Sequence, residues 1–426
     1  MSLIGRLARS KVVAQSLLFA GSNAFVALAT AVAMALLARN LSTDAFGSFS
    51  FATAYLLFVA LFFDFGMVLP AARMTAATEG RERREIIGAT LLLYAPIGVA
   101  FCVAVAASSV IVDGAFNVTA GEAIAVTAPL ALAYPFQLLA WHLGQGTGRL
   151  HVYSISLAVG QILFVAALAV ALAAGAGASV ELGLLTRGAA MLVGWLLLVA
   201  WLRPVVRGAR RHLRPLWHQV REYGLKVYYG RVLSTGTYNM DVLMVGALTD
   251  ARSVGLYALA AALARGINLP LLGASSALFK RMSGEKRLDG RWLSVAWAVG
   301  AACAVVLVVA GRPIVELVFS SRYVDAAAIL LPLAVGEVFR GMAMFYNTFL
   351  SAHAFGRELR NTGVVLTVAN LVLNVALIPP FGIHGAAWAS LGALLANFAA
   401  HVYYYRRAVT QLESRPGANT AALATS

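Results

Sequence analysis

The chain has 426 residues, of which 61% are hydrophobic and 12% are charged, and its mean hydropathy is +0.80. A soluble domain cannot bury that much apolar surface, so the composition predicts an all-α polytopic membrane protein. Apolar runs of about twenty residues or more exclude the alternating strands of a membrane barrel. The two cysteines, Cys102 and Cys303, lie alone in separate apolar runs, which excludes a disulfide framework and a cysteine metal site.

Twelve apolar segments follow one another along the chain. Each is close to the roughly 20 residues that cross a hydrocarbon layer of ~30 Å. The first is too long for the core of a signal peptide and more spans follow it, so it is read as a retained helix. The predicted spans are Lys11–Ala38, Phe46–Ala72, Ile86–Val112, Ala120–Leu143, Val152–Ala174, Leu182–Leu202, Tyr223–Leu248, Val254–Phe279, Trp292–Ala310, Ala326–Leu350, Asn361–Ile378 and Gly385–Tyr405.

The basic residues are distributed unevenly between the two ends of these spans. Of the 33 lysines and arginines, 24 lie in the N-terminal segment, in alternate loops and in the tail, and only four lie in the other loops. This asymmetry predicts that both termini are cytoplasmic. It also accounts for the net charge of +15 without a nucleic-acid partner, because basic loops face anionic membrane lipids.

The two halves of the chain resemble each other. Three pairs of matching residues share an offset of 208 positions: Gly47 and Gly255, Arg73 and Arg281, and Gly148 and Gly356. An even number of spans per repeat gives two parallel six-helix lobes, with the substrate site expected between them. The predicted domains are an N-lobe (1–202), a basic cytoplasmic linker (203–222), a C-lobe (223–407) and a disordered cytoplasmic tail (408–426).

Charged side chains interrupt the apolar spans of the C-lobe. A charge at the bilayer centre costs about 2.5–3.5 kcal/mol on the insertion scale, so such residues are expected to face a cavity or one another. At about 100° per residue, Lys226, Arg231, Thr237 and Asp241 share one face of the seventh span. That face is expected to line the cavity, and the side of Gly236 is expected to lie away from it.

The eighth and tenth spans add further charges. Arg265 lies in the middle of the eighth span, where Pro270 is expected to kink the helix. Glu337 and Arg340 are spaced i,i+3 in the tenth span and can pair on one helix face. The N-lobe contributes Asp64, close to the inner end of the second span.

The charges favour an anionic substrate. Guanidinium groups bind phosphate oxygens bidentately and lysine adds a point charge, so the predicted substrate-binding residues are Arg265, Arg231, Lys226 and Arg340. Three acidic residues stay open between coupling to an H+ or Na+ gradient and structural pairing: Asp241, Glu337 and Asp64. For Asp64, capping and lining the inner mouth are further alternatives. No catalytic residue, metal site or bound cofactor is predicted.

Three parts of the sequence resemble the oligosaccharide flippases of the multidrug/oligosaccharidyl-lipid/polysaccharide exporter superfamily, which includes the O-antigen and exopolysaccharide flippases. The segments are LLARNLSTDAFGSFSFATAY followed by FDFG (36–55 and 63–66), DVLMVGALTDARSVGLYALA (241–260) and LNVALIPPFGIHGAAWAS (373–390). The resemblance implies two six-helix lobes in a V shape and alternating access. It implies transfer of undecaprenyl-diphosphate-linked oligosaccharide from the cytoplasmic to the outer leaflet of the bacterial inner membrane, for O-antigen, exopolysaccharide or capsule synthesis. A polysaccharide polymerase and a chain-length regulator are the implied partners.

Three other functions are weighed against this one. An exporter of cationic drugs should have an acidic cavity, whereas this one has a net positive charge. The peptidoglycan-precursor flippases, a related family, usually have helices beyond the twelfth. A membrane polymerase or ligase of the same pathway tends to carry its reacting groups in a large outer loop, and the longest outer loops here, 113–119 and 311–325, are short.

Overall fold

The computed structural model describes residues 11–414, without the side chains at 11–20, 23, 226, 227, 229–231, 233–235, 238, 277 and 280. Every regular element in this part of the chain is helical. The α-helices are α1 (Lys11–Asn40), α2 (Thr43–Phe62), α3 (Val68–Ala76), α4 (Gly80–Ala115), α5 (Gly121–Thr127), α6 (Ala133–Gly146), α7 (Leu150–Ala173), α8 (Val180–Leu202), α9 (Arg210–Gln219), α10 (Leu225–Leu248), α11 (Ala251–Arg265), α12 (Asn268–Ala277), α13 (Phe279–Met282), α14 (Gly290–Ile314), α15 (Leu330–Ala352) and α16 (Gly356–Glu413).

The helices agree with the predicted spans. In the described part of the chain, seven helices are long and apolar enough to cross a membrane, or nine if each of two bent pairs is one span. The bent pairs are α5 with α6 (47°) and α11 with α12 (41°). Helix α16 contains the last two predicted spans, which meet at Gly382 with φ 55° and ψ −133°. The first and seventh predicted spans coincide with α1 and α10.

The internal repeat is visible in the way α2 and α11 begin. The Ser42 hydroxyl accepts the backbone N–H of Ala45 at 3.1 Å, and the Asp250 carboxylate accepts that of Ser253 at 2.8 Å. Such side chains cap a helix because its first N–H groups have no partner within the helix. Both the caps and the capped residues keep the offset of 208 found in the sequence. Equivalent helices of the two predicted lobes, which are called the N-lobe and the C-lobe below, therefore start in the same way.

These two helices touch across the boundary between the lobes. A Cβ atom on Gly47 would lie 1.7 Å from the carbonyl oxygen of Ala251, and one on Gly255 would lie 2.9 Å from that of Thr43. Only glycine allows two backbones to approach this closely. The same region is closed by Phe46 and Tyr323, whose rings meet edge-on at 5.4 Å. The lobes are thus in direct contact at the end that the charge asymmetry predicts to be outer.

The second span is broken at Asp64. Helix α2 ends before it and α3 begins after two residues in the left-handed region, Phe65 (φ 44°) and Gly66 (φ 72°). The buried Asp64 carboxylate accepts the backbone N–H of Val68 at 3.3 Å. Gly66 lies against Gly224 of the other lobe, where a Cβ atom would come within 2.5 Å of backbone. Of the alternatives raised for Asp64, the structure shows a capping bond at the lobe boundary.

The basic linker packs against the start of α4. It forms α9, which continues through a π-helical turn at Val220–Gly224 into α10. The buried carboxylate of Glu85 pairs with Arg211 and lies 3.4 Å from His212, and it also accepts Arg81 Nε at 2.9 Å. This charge cluster ties the linker to the N-lobe, and the π-helical turn joins it to the first C-lobe span.

The C-terminal helix is longer than predicted. It continues past Arg407 to Glu413, because Ala408 and Val409 are buried and Arg287 pairs with the Glu413 carboxylate. The structure therefore corrects the predicted start of the disordered tail, since 408–413 is helical. The rest of that predicted tail, 415–426, lies outside the described residues.

Candidate functional site

Four of the charged residues predicted in the C-lobe spans line a cavity of about 90 Å³: Asp241, Arg265, Glu337 and Arg340. Its walls come from α10, α11, α15 and both halves of α16, so it lies inside the C-lobe. The polar and charged side chains on its walls are Thr237, Asp241, Tyr257, Arg265, Glu337, Arg340, Asn370 and Ser390. A space of this size holds several water molecules, or an ion with part of its hydration shell. It is far too small for a lipid-linked oligosaccharide.

Asp241 is the centre of a hydrogen-bond cluster. Its Oδ1 accepts the side-chain amides of Asn370 at 2.6 Å and Asn374 at 2.8 Å. Its Oδ2 lies 3.0 Å from the Tyr257 hydroxyl and 2.9 Å from the Ser390 hydroxyl. The cluster therefore joins α10, α11 and both halves of α16 through one carboxylate.

Asp241 Oδ2 and the hydroxyls of Tyr257 and Ser390 form three O···O contacts, but the two hydroxyls supply only two hydrogens. The hydroxyls of Tyr257 and Ser390 are also 2.7 Å from each other, so three oxygens form a closed triangle. Two hydroxyl hydrogens can serve only two sides of the triangle when Asp241 is ionised. A proton on Asp241 would supply the third. Triangle sides of 2.7–3.0 Å are typical of O–H···O bonds.

The side-chain amide of Asn374 has an oxygen without a hydrogen-bond partner among the described residues. Its Nδ2 donates to Asp241 and also lies 3.1 Å from Asn370 Oδ1, whereas its Oδ1 is buried without a hydrogen-bond partner. Buried polar atoms without a partner are rare and costly. Asn374 thus contacts Asp241 through its amide nitrogen, while its amide oxygen has no hydrogen-bond partner among the described residues.

Arg265 lies at the rim of the cavity, where the eighth span bends. It is the last residue of α11, it is exposed, and its Nε donates to the carbonyl of Ala261 at 3.2 Å. The bend expected from Pro270 is present, but it lies at Gly266 and Ile267. A proline ring displaces the carbonyl four residues before it, which here belongs to Gly266. The bend therefore places the guanidinium group at the mouth of the cavity.

Glu337 and Arg340 form the pair that their spacing allows. Arg340 Nη1 donates to Glu337 Oε1 at 3.2 Å, and Asn268 Nδ2 donates to the other carboxylate oxygen. Because Asn268 is the first residue of α12, Glu337 connects α15 to the bend in the eighth span. Among the described residues, two carboxylates and two guanidinium groups line the cavity, so their formal charges balance.

The polar face of α10 lines a cavity and Gly236 lies away from it, but this cavity is inside the C-lobe and not between the lobes as expected. The Thr237 hydroxyl is 2.9 Å from that of Thr367 on α16, so this face packs inside the C-lobe. Gly236, on the opposite side, meets the Phe58 ring of α2 across the lobe boundary, where a Cβ atom would be 3.3 Å away. The physical reason is that hydrogen-bond partners for the polar face lie on α16, while the small apolar face allows close packing between lobes.

Two predicted substrate-binding residues, Lys226 and Arg231, have side chains outside the described part of the chain. Their role stays a prediction. Conversely, the sequence reading did not select Tyr257, Asn374 or Ser390, although all three lie within the motifs quoted above. Asn370 and Asn374 are spaced i,i+4, and two amides on one helix face within an apolar span were the signal that could have revealed them.

Comparison with known proteins identifies the family. The model of a family described as "polysaccharide biosynthesis protein" matches residues 12–286, more than half of the chain. No curated protein matches the sequence. A solved inward-facing MATE multidrug resistance transporter of the MOP superfamily superimposes with a TM-score of 0.75 at 14% identity, over 91% of this chain and 95% of that chain.

Two further solved structures share the architecture. The Lipid II flippase MurJ in an inward closed conformation gives a TM-score of 0.72 at 13% identity, over 93% of this chain and 90% of that one. An outward-facing MATE transporter gives 0.59 at 14% identity, over 96% and 98%. At these identities the likeness shows the fold alone. The chain is a multi-pass membrane protein whose fold is like that of the MATE transporters and MurJ, and it belongs to the polysaccharide biosynthesis protein family.

Proposed function

We propose that this protein is a flippase that moves undecaprenyl-diphosphate-linked oligosaccharide from the cytoplasmic to the outer leaflet of the bacterial inner membrane. The observation that carries the proposal is a polysaccharide biosynthesis family match on a fold shared with a Lipid II flippase. A diphosphate joined to a sugar chain cannot cross hydrocarbon without a protein, because transfer of charge out of water is too costly. A family that builds polysaccharides across a membrane needs such a step.

The direction of transport agrees with the membrane potential. With both termini in the cytoplasm, as the basic loops predict, the substrate is loaded from the negative side. An inside-negative potential favours outward movement of an anion by about 2.3 kcal/mol per charge per 100 mV. The membrane potential therefore does not oppose export of a diphosphate. A cation that moves inward in exchange would add to the driving force.

Alternating access is supported by the contacts at the predicted outer end. Arg39 Nε donates to the carbonyl of Val318 at 2.9 Å, and Arg322 donates to the carbonyls of Leu41 and Arg39 at 3.1 and 2.7 Å. Each arginine thus reaches from one lobe to the backbone of the other. These bonds can exchange with water at low cost when the lobes separate. A closed outer end is what a cytoplasm-facing state requires.

The substrate and the coupling ion would use different parts of the C-lobe. Arg265, at the exposed rim, and Arg340 beside it are the described residues that can hold the diphosphate, with Lys226 and Arg231 as further candidates. The sugar and the lipid must lie outside the small cavity, between the lobes. Asp241, deeper inside, would exchange a proton, because the oxygen triangle at its Oδ2 lacks one hydrogen. Na+ at the same carboxylate is the alternative.

The proposal is tested by a flipping assay with purified protein in liposomes. One set of liposomes contains labelled undecaprenyl-diphosphate oligosaccharide, a second Lipid II, and a third a fluorescent cationic drug. We expect the protein to accelerate movement of the oligosaccharide lipid at least tenfold over protein-free liposomes. Movement of Lipid II alone would identify a peptidoglycan-precursor flippase, and movement of the drug alone an exporter. Elongation of the glycan would indicate a polymerase.

A further inference from the structure

A second cavity, of about 530 Å³, lies in the N-lobe at the predicted cytoplasmic end. It shares no wall residue with the charged cavity of the C-lobe. Arg83, Arg84, Arg149 and Arg203 line the second cavity. They come from three separate parts of the chain: the first turn of α4, the loop between α6 and α7, and the end of α8. Folding therefore brings together four arginines that the sequence scatters over more than a hundred positions.

The positive charge of this cavity is not balanced by the protein. In the described part of the chain, none of the four arginines forms an ion pair with an acidic side chain; Arg83 donates only to the backbone carbonyl of Thr78, at 2.6 Å. The neighbouring Arg81 is different, since it pairs with the buried Glu85. Like charges on a concave surface repel each other and concentrate the field, which attracts an anion.

The backbone adds to this attraction. Gly80, also on the cavity wall, begins the 36-residue helix α4, and no side chain caps that helix end. The first N–H groups of a helix carry partial positive charge and bind phosphate. Arg203, at the opposite wall, ends α8 in the left-handed conformation with φ 49°. A left-handed residue is a common way to end a helix, and here it sets the position of Arg203 on the cavity wall.

The cavity adjoins an exposed apolar surface. Val193, Leu197 and Trp201 are spaced i,i+4 on α8 and all are exposed, so they form an apolar stripe along the helix. Trp201 is itself on the cavity wall. Tryptophan is enriched at the level of lipid head groups, which indicates that the cavity opens at that depth. A ligand that fits this site has an apolar tail and a polyanionic head.

We propose that this N-lobe cavity binds the phosphate-bearing head group of a lipid in the cytoplasmic leaflet. Its guanidinium groups bind phosphate oxygens bidentately, and its apolar stripe accommodates the chains. Basic pockets on the cytoplasmic side of membrane proteins bind such head groups. Two sources share this chemistry: the polyprenyl diphosphate carrier and the anionic phospholipids. The site does not depend on the transport activity proposed above.

The test measures lipid binding by native mass spectrometry of the full chain in neutral detergent. The probes are a polyprenyl diphosphate, phosphatidylglycerol and cardiolipin, with diacylglycerol as the lipid without phosphate. The variant Arg84→Gln/Arg149→Gln/Arg203→Gln removes three charges from the cavity. The matched control, Arg210→Gln/Arg214→Gln/Arg221→Gln, removes three charges from the linker. Thermal unfolding of each variant establishes that it is folded, and the single change Arg149→Gln replaces the triple variant if it is not.

We expect the cavity variant to bind at least one phosphate lipid tenfold more weakly than the unaltered protein, and the linker variant to stay within twofold. Loss confined to the polyprenyl diphosphate would identify the carrier lipid as the ligand, and loss confined to the phospholipids would identify a membrane lipid; either supports the site. Equal loss in both variants, no loss in either, or equally strong binding of diacylglycerol would overturn it. Because no transport is measured, failure here leaves the flippase proposal intact.

Discussion

At the scale of single residues, Asp241 is the group whose protonation should matter most. The change Asp241→Asn replaces an acceptor oxygen with an amide that faces hydrogen-bond donors, which costs about 1–3 kcal/mol for each donor left unpaired. We expect transport to fall at least tenfold and its stimulation by a pH gradient to disappear. Asp325→Asn is the control, because Asp325 is exposed and pairs with Arg252 at the surface.

The outcome is measured in liposomes with imposed pH or sodium gradients. If Asp241→Asn kept the normal response to pH, proton exchange at this carboxylate would be wrong. If the unaltered protein responded to a sodium gradient and not to pH, the ion would be Na+. Folding of the variant is checked by thermal unfolding, so that loss of transport is not mistaken for loss of structure.

Arg265 and Arg252 offer a matched comparison, since they lie at opposite ends of α11. Arg265→Gln removes the guanidinium at the rim of the C-lobe cavity, and we expect transport of the diphosphate-linked glycan to fall at least tenfold. Arg265→Lys should retain part of the activity, because the lysine ammonium keeps the positive charge but cannot bind phosphate oxygens bidentately. Arg252→Gln should transport normally. Flipping rates at equal protein level measure this, and unchanged rates for both Arg265 variants would contradict a cationic substrate site.

At the scale of helices, the contact between α2 and α11 depends on the absence of side chains at two glycines. Gly47→Ala inserts a methyl group against the backbone of Ala251, and overpacking of this kind costs about 1–3 kcal/mol. We expect a lower melting temperature and greater labelling of cysteines at the predicted outer end. Gly114→Ala is the control: its methyl group meets nothing within 4 Å, so stability should stay the same or rise. Equal melting temperatures for the two variants would mean that this contact does not hold the lobes together.

At the scale of the whole molecule, transport by alternating access requires the lobes to separate at the outer end. We expect a cross-link between Phe46→Cys and Tyr323→Cys, made with a short bismaleimide after Cys102→Ala and Cys303→Ala, to stop flipping. The two rings are in contact across the lobe boundary, so the reagent can span them. Each single-cysteine protein, treated with the same reagent, should keep its activity. Transport by the fully cross-linked protein would exclude opening at this point.

The sequence by itself determined the architecture of the protein. The lengths of the apolar segments located the membrane spans, because a helix that crosses the hydrocarbon layer must cover it with apolar side chains. Gly47 and Gly255 indicated the repeat in the sequence, because both lie at the same offset and glycine is the residue type that a close helix contact requires. The pairing of Glu337 with Arg340 was also local, since both lie on one turn of α15.

The tertiary structure alone decided which groups meet. Helical periodicity placed Thr237 and Asp241 on one face, but the direction of that face depends on how α10 is rotated against its neighbours. Only packing turned it towards the amides of α16, away from the other lobe. The same is true of the N-lobe cavity, whose four arginines come from three distant segments. A side chain's own sequence neighbourhood determines its helix and its face, whereas its partners are set by the packing of helices that are far apart in the chain.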